Sequence, residues 1–341
     1  MNQSERYNRY ALCREMLETP AVIRRLDTAE IEKIRLESDR VLLSGEGSSR
    51  IFPAKRLVAQ ALRGGWPVRV YTEAALQAME YSLRGYHVFV TSNSGRTAEG
   101  VGLIRHLRSE DSKDERSGAP AAITGIAAHD DTPIVRESDS RIVLQCGPED
   151  AVAATKSVME QALVYDLLFR NILGFPPPER SSLADLMGEV LRSDLPESLV
   201  TPVVKAPLVY FAGRNDGVAE ELTLKTNEIT RKRADFLEGT YAVHGVEEVM
   251  RADETVVLVD PYPSQEEKFR QVLCDGVGMK VIAIAPRDTI FPTIRVPDAG
   301  ELTPYLLLAA GWNLLVEVGL AAGIDLDKPQ RARKVGNELT E

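Results

Sequence analysis

The chain alternates between two hydrophobic periods. From Arg40 onward, short β-rich apolar runs trade places with helix-like stretches: VLLS (41–44), VRVY (68–71), HVFVTS (87–92), AAITGIA (121–127) and RIVLQC (141–146). Strand-sized runs separated by helix-period segments are the pattern of βαβ units. They predict an α/β fold with an open, five-stranded parallel sheet covered by helices on both faces. Helices are expected to begin near Ser49, Glu73 and Thr97. A long amphipathic segment, ATKSVMEQALVYDLLFRNIL, closes this first unit, and GFPPPERSS (174–182) breaks the pattern with three consecutive prolines. After a further helical stretch the alternation restarts with APLVYFAG (206–213), ADFLEG (234–239), TVVLVD (255–260), KVIAIA (280–285) and TIRVP (293–297). The chain reads as a duplication at the level of fold.

The flanks differ from this alternation. ERYNRYALCREMLETPAVIRRL predicts one or two helices, with Pro20 as a break or a first-turn residue. YLLLAAGWNLLVEVGLAAGI predicts a buried helix, interrupted by Gly and charge, and a polar tail follows it. The expected divisions are a helical lead-in (1–37), a first sheet domain (38–173), a linker and helix (174–200), a second sheet domain (201–324) and a tail (325–341).

Composition narrows the function classes. With 41 basic and 51 acidic residues in 341, the formal charge is −10, and the longest basic run is the short RKR at Arg231–Arg233. That argues against nucleic acid or an anionic membrane as partner. No apolar run approaches the roughly 18–20 residues of a bilayer span, and the polar N-terminus MNQSERYNRY does not read as a leader. Cys13, Cys146 and Cys274 are far apart and odd in number, which suits neither a disulfide framework nor a zinc site. The expectation is a cytoplasmic protein without a metal or other cofactor.

Candidate chemistry begins at TSNSGRTAEG (91–100), which lies between a strand and a helix. At the C-terminal ends of parallel strands, helix N-termini offer free N–H groups and a positive dipole end, and anions collect there. Ser92, Ser94 and Thr97 add hydroxyls, and Gly95 allows close backbone approach. Ser and Thr also cap helices without binding anything. The glycine spacing is neither a Walker loop nor a dinucleotide fingerprint. A second loop of the same character, SGEGSSRI (44–51), follows the first strand and supplies Ser48, Ser49 and Arg50. Two such loops in one sheet suit a phosphate better than two unrelated caps.

These two loops, with the duplicated flavodoxin-like units, resemble the sugar isomerase (SIS) domain family. EDAVAATKSVMEQ (149–161) resembles the family's segment over the sugar, and GVAEELTLKTNEIT (217–230) its second-lobe catalytic helix. The tail GIDLDKPQRARKV is similar to that of the isomerase half of glucosamine-fructose-6-phosphate aminotransferase and of SIS-type deaminases. The resemblance implies two flavodoxin-like subdomains and a phosphate held among Ser49, Ser92, Asn93, Ser94 and Thr97, beside the Ser48 that the first loop itself offers as a donor. It implies backbone contacts from Val152 and Ala154, a base at Glu228, a ring-opening histidine at His244, and a tail lysine at Lys334. Glu221 and Lys225 flank the base on its helix. A homodimer is implied, because the family's histidine is often lent by a second subunit.

The expected chemistry is aldose–ketose isomerisation of a hexose or amino-hexose phosphate. Deamination of an amino-sugar phosphate, sugar-amine deglycation, sulfosugar isomerisation and a non-catalytic sugar-phosphate module are the alternatives. Glu228 would move a proton between C1 and C2, at a pKa raised by burial. Without the resemblance, Glu221, Lys225 and Glu228 could equally form an exposed charged stripe. His87, His106, His129, Glu99, Arg105, Trp66 and Trp312 read as packing or surface residues. The chain departs from the family in His-Gly-Val where His-Gly-Pro is frequent, in Asn93 where Gln is frequent, and in the acid Glu46 within an anion loop. No glutaminase-sized domain precedes the first sheet, so ammonia production from glutamine is not expected.

Overall fold

Among the described residues ten strands form, one at each apolar run expected of them. The computed structural model describes residues 1–2, 4–109, 119–334 and 337–339. In chain order, helices α1 (Glu5–Asn8) and α2 (Ala11–Arg25) lead into β1 (Arg40–Gly45), α3 (Ile51–Gly64), β2 (Arg69–Glu73), α4 (Ala75–Ala78) and β3 (His87–Thr91). Then come α5 (Ala98–Arg108), β4 (Ala122–Ala127), α6 (Pro133–Arg136), β5 (Ser140–Val143) and α7 (Lys156–Leu173). Helices α8 (Arg180–Arg192) and α9 (Glu197–Lys205) precede β6 (Leu208–Gly213) and α10 (Val218–Lys225), which a π-helical turn, Thr226–Thr230, extends. The remainder is β7 (Arg233–Glu238), β8 (Thr255–Val259), α11 (Glu266–Phe269), β9 (Lys280–Ala285), β10 (Thr293–Arg295) and α12 (Thr303–Ala321).

The strands make two all-parallel five-stranded sheets, ordered β2-β1-β3-β4-β5 and β10-β9-β8-β6-β7. Read from its other edge, the second has the topology of the first, as a duplication requires. Burial explains why the runs were legible. The central strands β3, β4 and β8 are buried at every residue, so they read as unbroken apolar runs. The edge strands β2 and β7 carry exposed positions instead.

The chain forms two compact units, each assembled from separate segments. One comprises residues 21–149, 156–179 and 333–341 and carries the first sheet. The other comprises residues 1–20, 150–155 and 180–332 and carries the second. In the first, Leu42, Val88, Val101 and Ile123 belong to one apolar cluster. In the second, Tyr210, Val256, Phe269 and Leu273 do the same.

Two expectations change. Pro20 neither breaks nor begins a helix; it lies inside α2. Leu12, Cys13 and Met16 before it and Val22 and Ile23 after it are buried. Packing on both flanks therefore outweighs the one backbone bond that proline removes. The apolar C-terminal segment, expected to be too interrupted for a span, has the length and mean hydropathy of one, 1.4 over an 18-residue window within Gly300–Ala321. It is apolar all round because 83% of that window is buried inside the protein.

Candidate active site

A sheet ordered 2-1-3-4-5 sends its chain to opposite faces after strands 1 and 3, opening a crevice at their C-terminal ends. In the first sheet those ends are β1 and β3, with Gly45 paired to Thr91. A Cβ on Gly45 would stand 2.7 Å from the Thr91 carbonyl oxygen, so only glycine fits there. The two loops predicted to hold an anion therefore leave from adjacent strand ends.

The second loop folds its hydroxyls together. Ser92 Oγ lies 2.7 Å from Thr97 Oγ1 and 3.3 Å from Ser94 Oγ. Ser92 Oγ accepts the Gly95 N–H at 3.2 Å, and Ser94 Oγ accepts the Arg96 N–H at 3.2 Å. Gly95 sits at φ +66°, and a Cβ there would collide with Thr132 Oγ1 and Cβ. In the first loop, a single 3-10 turn over Gly47–Ser49 carries Ser48 and Ser49 into α3. Simple capping does not account for the Thr97 hydroxyl, because Thr97 stands at the N-cap of α5 without a side-chain bond to its helix. Among the described residues, Ser44 Oγ, Arg50 Nε and Asn93 Oδ1 are buried without a hydrogen-bond partner. Buried polar atoms are ordinarily paired, so these suit a ligand's donors and acceptors. Glu46 does not compete with an anion through Oε1, which accepts the Ala75 N–H at 2.9 Å at the start of α4. Burial raises its carboxyl above the ordinary value, and Glu99 adds to that rise.

The second sheet repeats the geometry with different residues. Its switch point lies between β6 and β8, where Gly213 pairs with Val259. A Cβ on Gly213 would stand 2.9 Å from the Val259 carbonyl oxygen, the counterpart of Gly45 and Thr91. The helix after β6 carries charge instead of hydroxyls. Lys225, fully buried, lies 3.3 Å from the buried Glu221 and 2.7 Å from Glu228. Burial pulls the Lys225 ammonium down, but the two carboxylates outweigh it and hold it above its ordinary value. Glu228 keeps 21% of its side chain exposed. It stands on the π-helical turn, a deformation frequent at functional positions. Helix α12 fixes this helix from behind: a Cβ on Gly311 would drive into Leu222.

Of the remaining predicted residues, His244 is exposed after a 3-10 turn, with Nε2 3.1 Å from Thr240 Oγ1; no hydrogen bond joins it to Glu228 among the described residues. Val152 and Ala154 are the half-buried members of a stretch in which Ala151, Ala153 and Thr155 are buried. Glu15 of α2 holds that stretch, accepting the N–H groups of Asp150 at 2.5 Å and Ala151 at 3.3 Å. Lys334 Nζ lies 3.5 Å from Glu149 Oε2. The Glu149 side chain is fully buried and accepts the Ser157 hydroxyl at 2.5 Å.

Three carboxylates were not singled out from the sequence as site residues. Glu149 stands within the quoted EDAVAATK segment, and that was its available signal. Glu15 carries none. Glu99, read as a surface charge, is half-buried and accepts from Asn337 Nδ2 at 2.8 Å. His87 and Trp312 are packing residues as read, both buried to within 1%. No group of three or more His, Cys, Asp or Glu among the described residues is placed to hold a metal ion. A cavity of about 680 Å³, lined by His87, Arg108 and Asp139, lies at the N-terminal ends of β3 and β4, away from the switch point.

No family model matches the chain. Among curated proteins, it is 26% identical over 274 residues to the glutamine–fructose-6-phosphate aminotransferase (isomerizing) of Mycolicibacterium paratuberculosis, covering 72% of this chain and 42% of that protein. The chain thus spans less than half the length of that relative. Among solved structures, it matches glucosamine-6-phosphate deaminase from Thermotoga maritima with a TM-score of 0.74 at 19% identity, covering 97% of this chain and 99% of the other. It matches tagatose-6-phosphate ketose/aldose isomerase from Escherichia coli with a TM-score of 0.75 at 18% identity, covering 98% and 99%. The paired sheets and the aminotransferase relatives match the resemblance to the sugar isomerase (SIS) domain family read from the two loops.

Proposed function

We propose that the protein is an isomerase of a hexose or amino-hexose phosphate. The observation that carries this reading is the Lys225–Glu228 pair: a reachable carboxylate at 2.7 Å from a sealed ammonium. Aldose–ketose exchange moves one proton between C1 and C2 of the open-chain sugar while a second proton changes oxygen. One carboxylate serving both carbons is sufficient for the first transfer. The loops carrying Ser48, Ser49, Ser92, Asn93, Ser94 and Thr97 would hold the anionic group at C6. Val152 and Ala154 would contribute backbone contacts to the sugar.

His244 would open the ring, since an imidazole can both accept and donate a proton. Its exposure suits a histidine lent to a second copy in a homodimer. Lys334 would steady negative charge on the carbonyl oxygen. The three described cysteines are free, in keeping with a cytoplasmic enzyme.

Deamination is the second reading. There, water replaces the amine of an amino-sugar phosphate and ammonium leaves. Lys334 supports it, because an amine can form an imine with the carbonyl carbon. Incubation with glucosamine 6-phosphate, fructose 6-phosphate and related sugars, with ketose and ammonia followed together, separates the two. Ketose without ammonia is expected for the isomerase, and absence of turnover across the panel would sink both.

A further inference from the structure

The tail is held at two places within the first-sheet unit. Residues 337–339 lie antiparallel to the start of α5: the Leu339 N–H donates to the Arg96 carbonyl at 2.9 Å, and the Ala98 N–H to the Asn337 carbonyl at 3.0 Å. This sets Thr97 opposite Glu338. Asn337 Nδ2 donates to Glu99 Oε1 at 2.8 Å, and Leu339 packs on the cluster that contains Val101 and Ile104. Three residues earlier, Lys334 meets Glu149.

An exposed terminal segment frays unless something ties it down. Ordering it costs about 1–2 kcal/mol per residue in backbone entropy. The 3.5 Å contact between Lys334 and Glu149 is a weak restraint by itself. The strand-like pairing, the side-chain bond and the apolar contact at 337–339 are three further ties on one short stretch.

We infer that residues 337–339 are an anchor that positions Lys334 on Glu149, with Glu99 and Asn337 as positioning residues. The inference rests on the proposed role of Lys334 and deepens it by naming what holds the lysine. Three residues of chain reach at most about 10 Å, so fixing Asn337 confines Lys334 to a small volume. The anchor is built on Arg96, Thr97 and Ala98. The loop proposed to hold the substrate's anion therefore also holds the tail that brings the lysine.

The test is pulsed acetylation of the full chain with an amine-reactive ester, read at Lys334 by mass spectrometry. A chain ending at Gly336 and Glu99→Ala should each label about fivefold faster than wild type, the scale of one lost hydrogen bond. Glu99→Gln keeps an acceptor oxygen and should label at the wild-type rate. All three should melt with the wild type, which distinguishes positioning from a general loss of structure. Unchanged Lys334 labelling in both the shortened chain and Glu99→Ala would overturn the anchor. The readout needs no substrate. If wild type turns over no sugar phosphate, the functional reading fails while the labelling still decides the anchor.

Discussion

The two sheets share a strand order and even a constraint, since each switch point has a glycine pressed against the neighbouring strand's carbonyl, Gly45 on Thr91 and Gly213 on Val259. They differ in the residues that come after the glycine. Beyond β1 and β3 lie hydroxyls, glycines and a buried arginine nitrogen without a partner among the described residues. Beyond β6 lies a helix with a buried lysine between two glutamates, ending in a π turn. The topology supplies two crevices of one shape, and the residues placed on each decide whether it suits an anion or a proton. Function in a duplicated fold is a property of the side chains at the strand ends.

The comparison is broken most severely at Glu228. Glu228→Gln should lower turnover by about 10²–10⁴-fold, the range of a lost general base. It should leave thermal stabilisation by sugar phosphate intact, because the anion loops are untouched. Activity that survives would falsify the base assignment. Next in size, Lys225→Met leaves Glu221 buried without its ammonium and should cost about 3–5 kcal/mol in urea denaturation. Ordinary stability in this variant would show that the cluster is not the charged core described.

Acid separates the units more gently. Burial pushes His87, at the start of β3, down to about 4 from an ordinary 6.5. The unfolded chain then takes up a proton that the folded one refuses. Stability should fall as pH drops from about 6.5 toward 4 and level off below, by at most about 1.4 kcal/mol per pH unit. The second sheet has Thr255 at the corresponding start of β8. Amide exchange at pH 5 should therefore accelerate more in the first sheet than in the second, and equal acceleration would remove His87 as the cause. The smallest effect is at the loop: Ser92→Ala should weaken inorganic phosphate binding about tenfold in calorimetry, the scale of a hydrogen bond to a charged group. Phosphate binding equal to wild type would remove Ser92 from the cradle.

The strands were legible because burial on both faces turns a parallel strand into a continuous apolar run. HVFV and TVVLV are buried throughout. The two loops proposed to hold an anion were legible as strand-to-helix loops because Ser, Gly and Thr are strung together directly after such a run. The charged cluster was only half legible. Spacing of three and four residues puts Glu221, Lys225 and Glu228 on one face of a helix, but spacing does not say that the face is buried. That is settled by α12, far along the chain, through the Gly311 contact with Leu222. Contacts such as Glu149 with Lys334, 185 residues apart, leave no periodic trace at all. Pro20 was misread for a related reason: local propensity breaks a helix, and packing on both flanks keeps it.

Helix α12 carries a consequence for how the protein is made. Its 19 residues include Leu306, Leu307, Leu308, Trp312, Leu314 and Leu315, all buried. A stretch this apolar is safe only while α8, α9 and α10 cover it. It is synthesised after all of them, when its covers are already available. Any lesion that delays the second sheet unit leaves a span-like segment open to membranes and to other nascent chains. Quality-control machinery would meet the protein first at α12, far in sequence from the loops and carboxylates proposed to carry its chemistry.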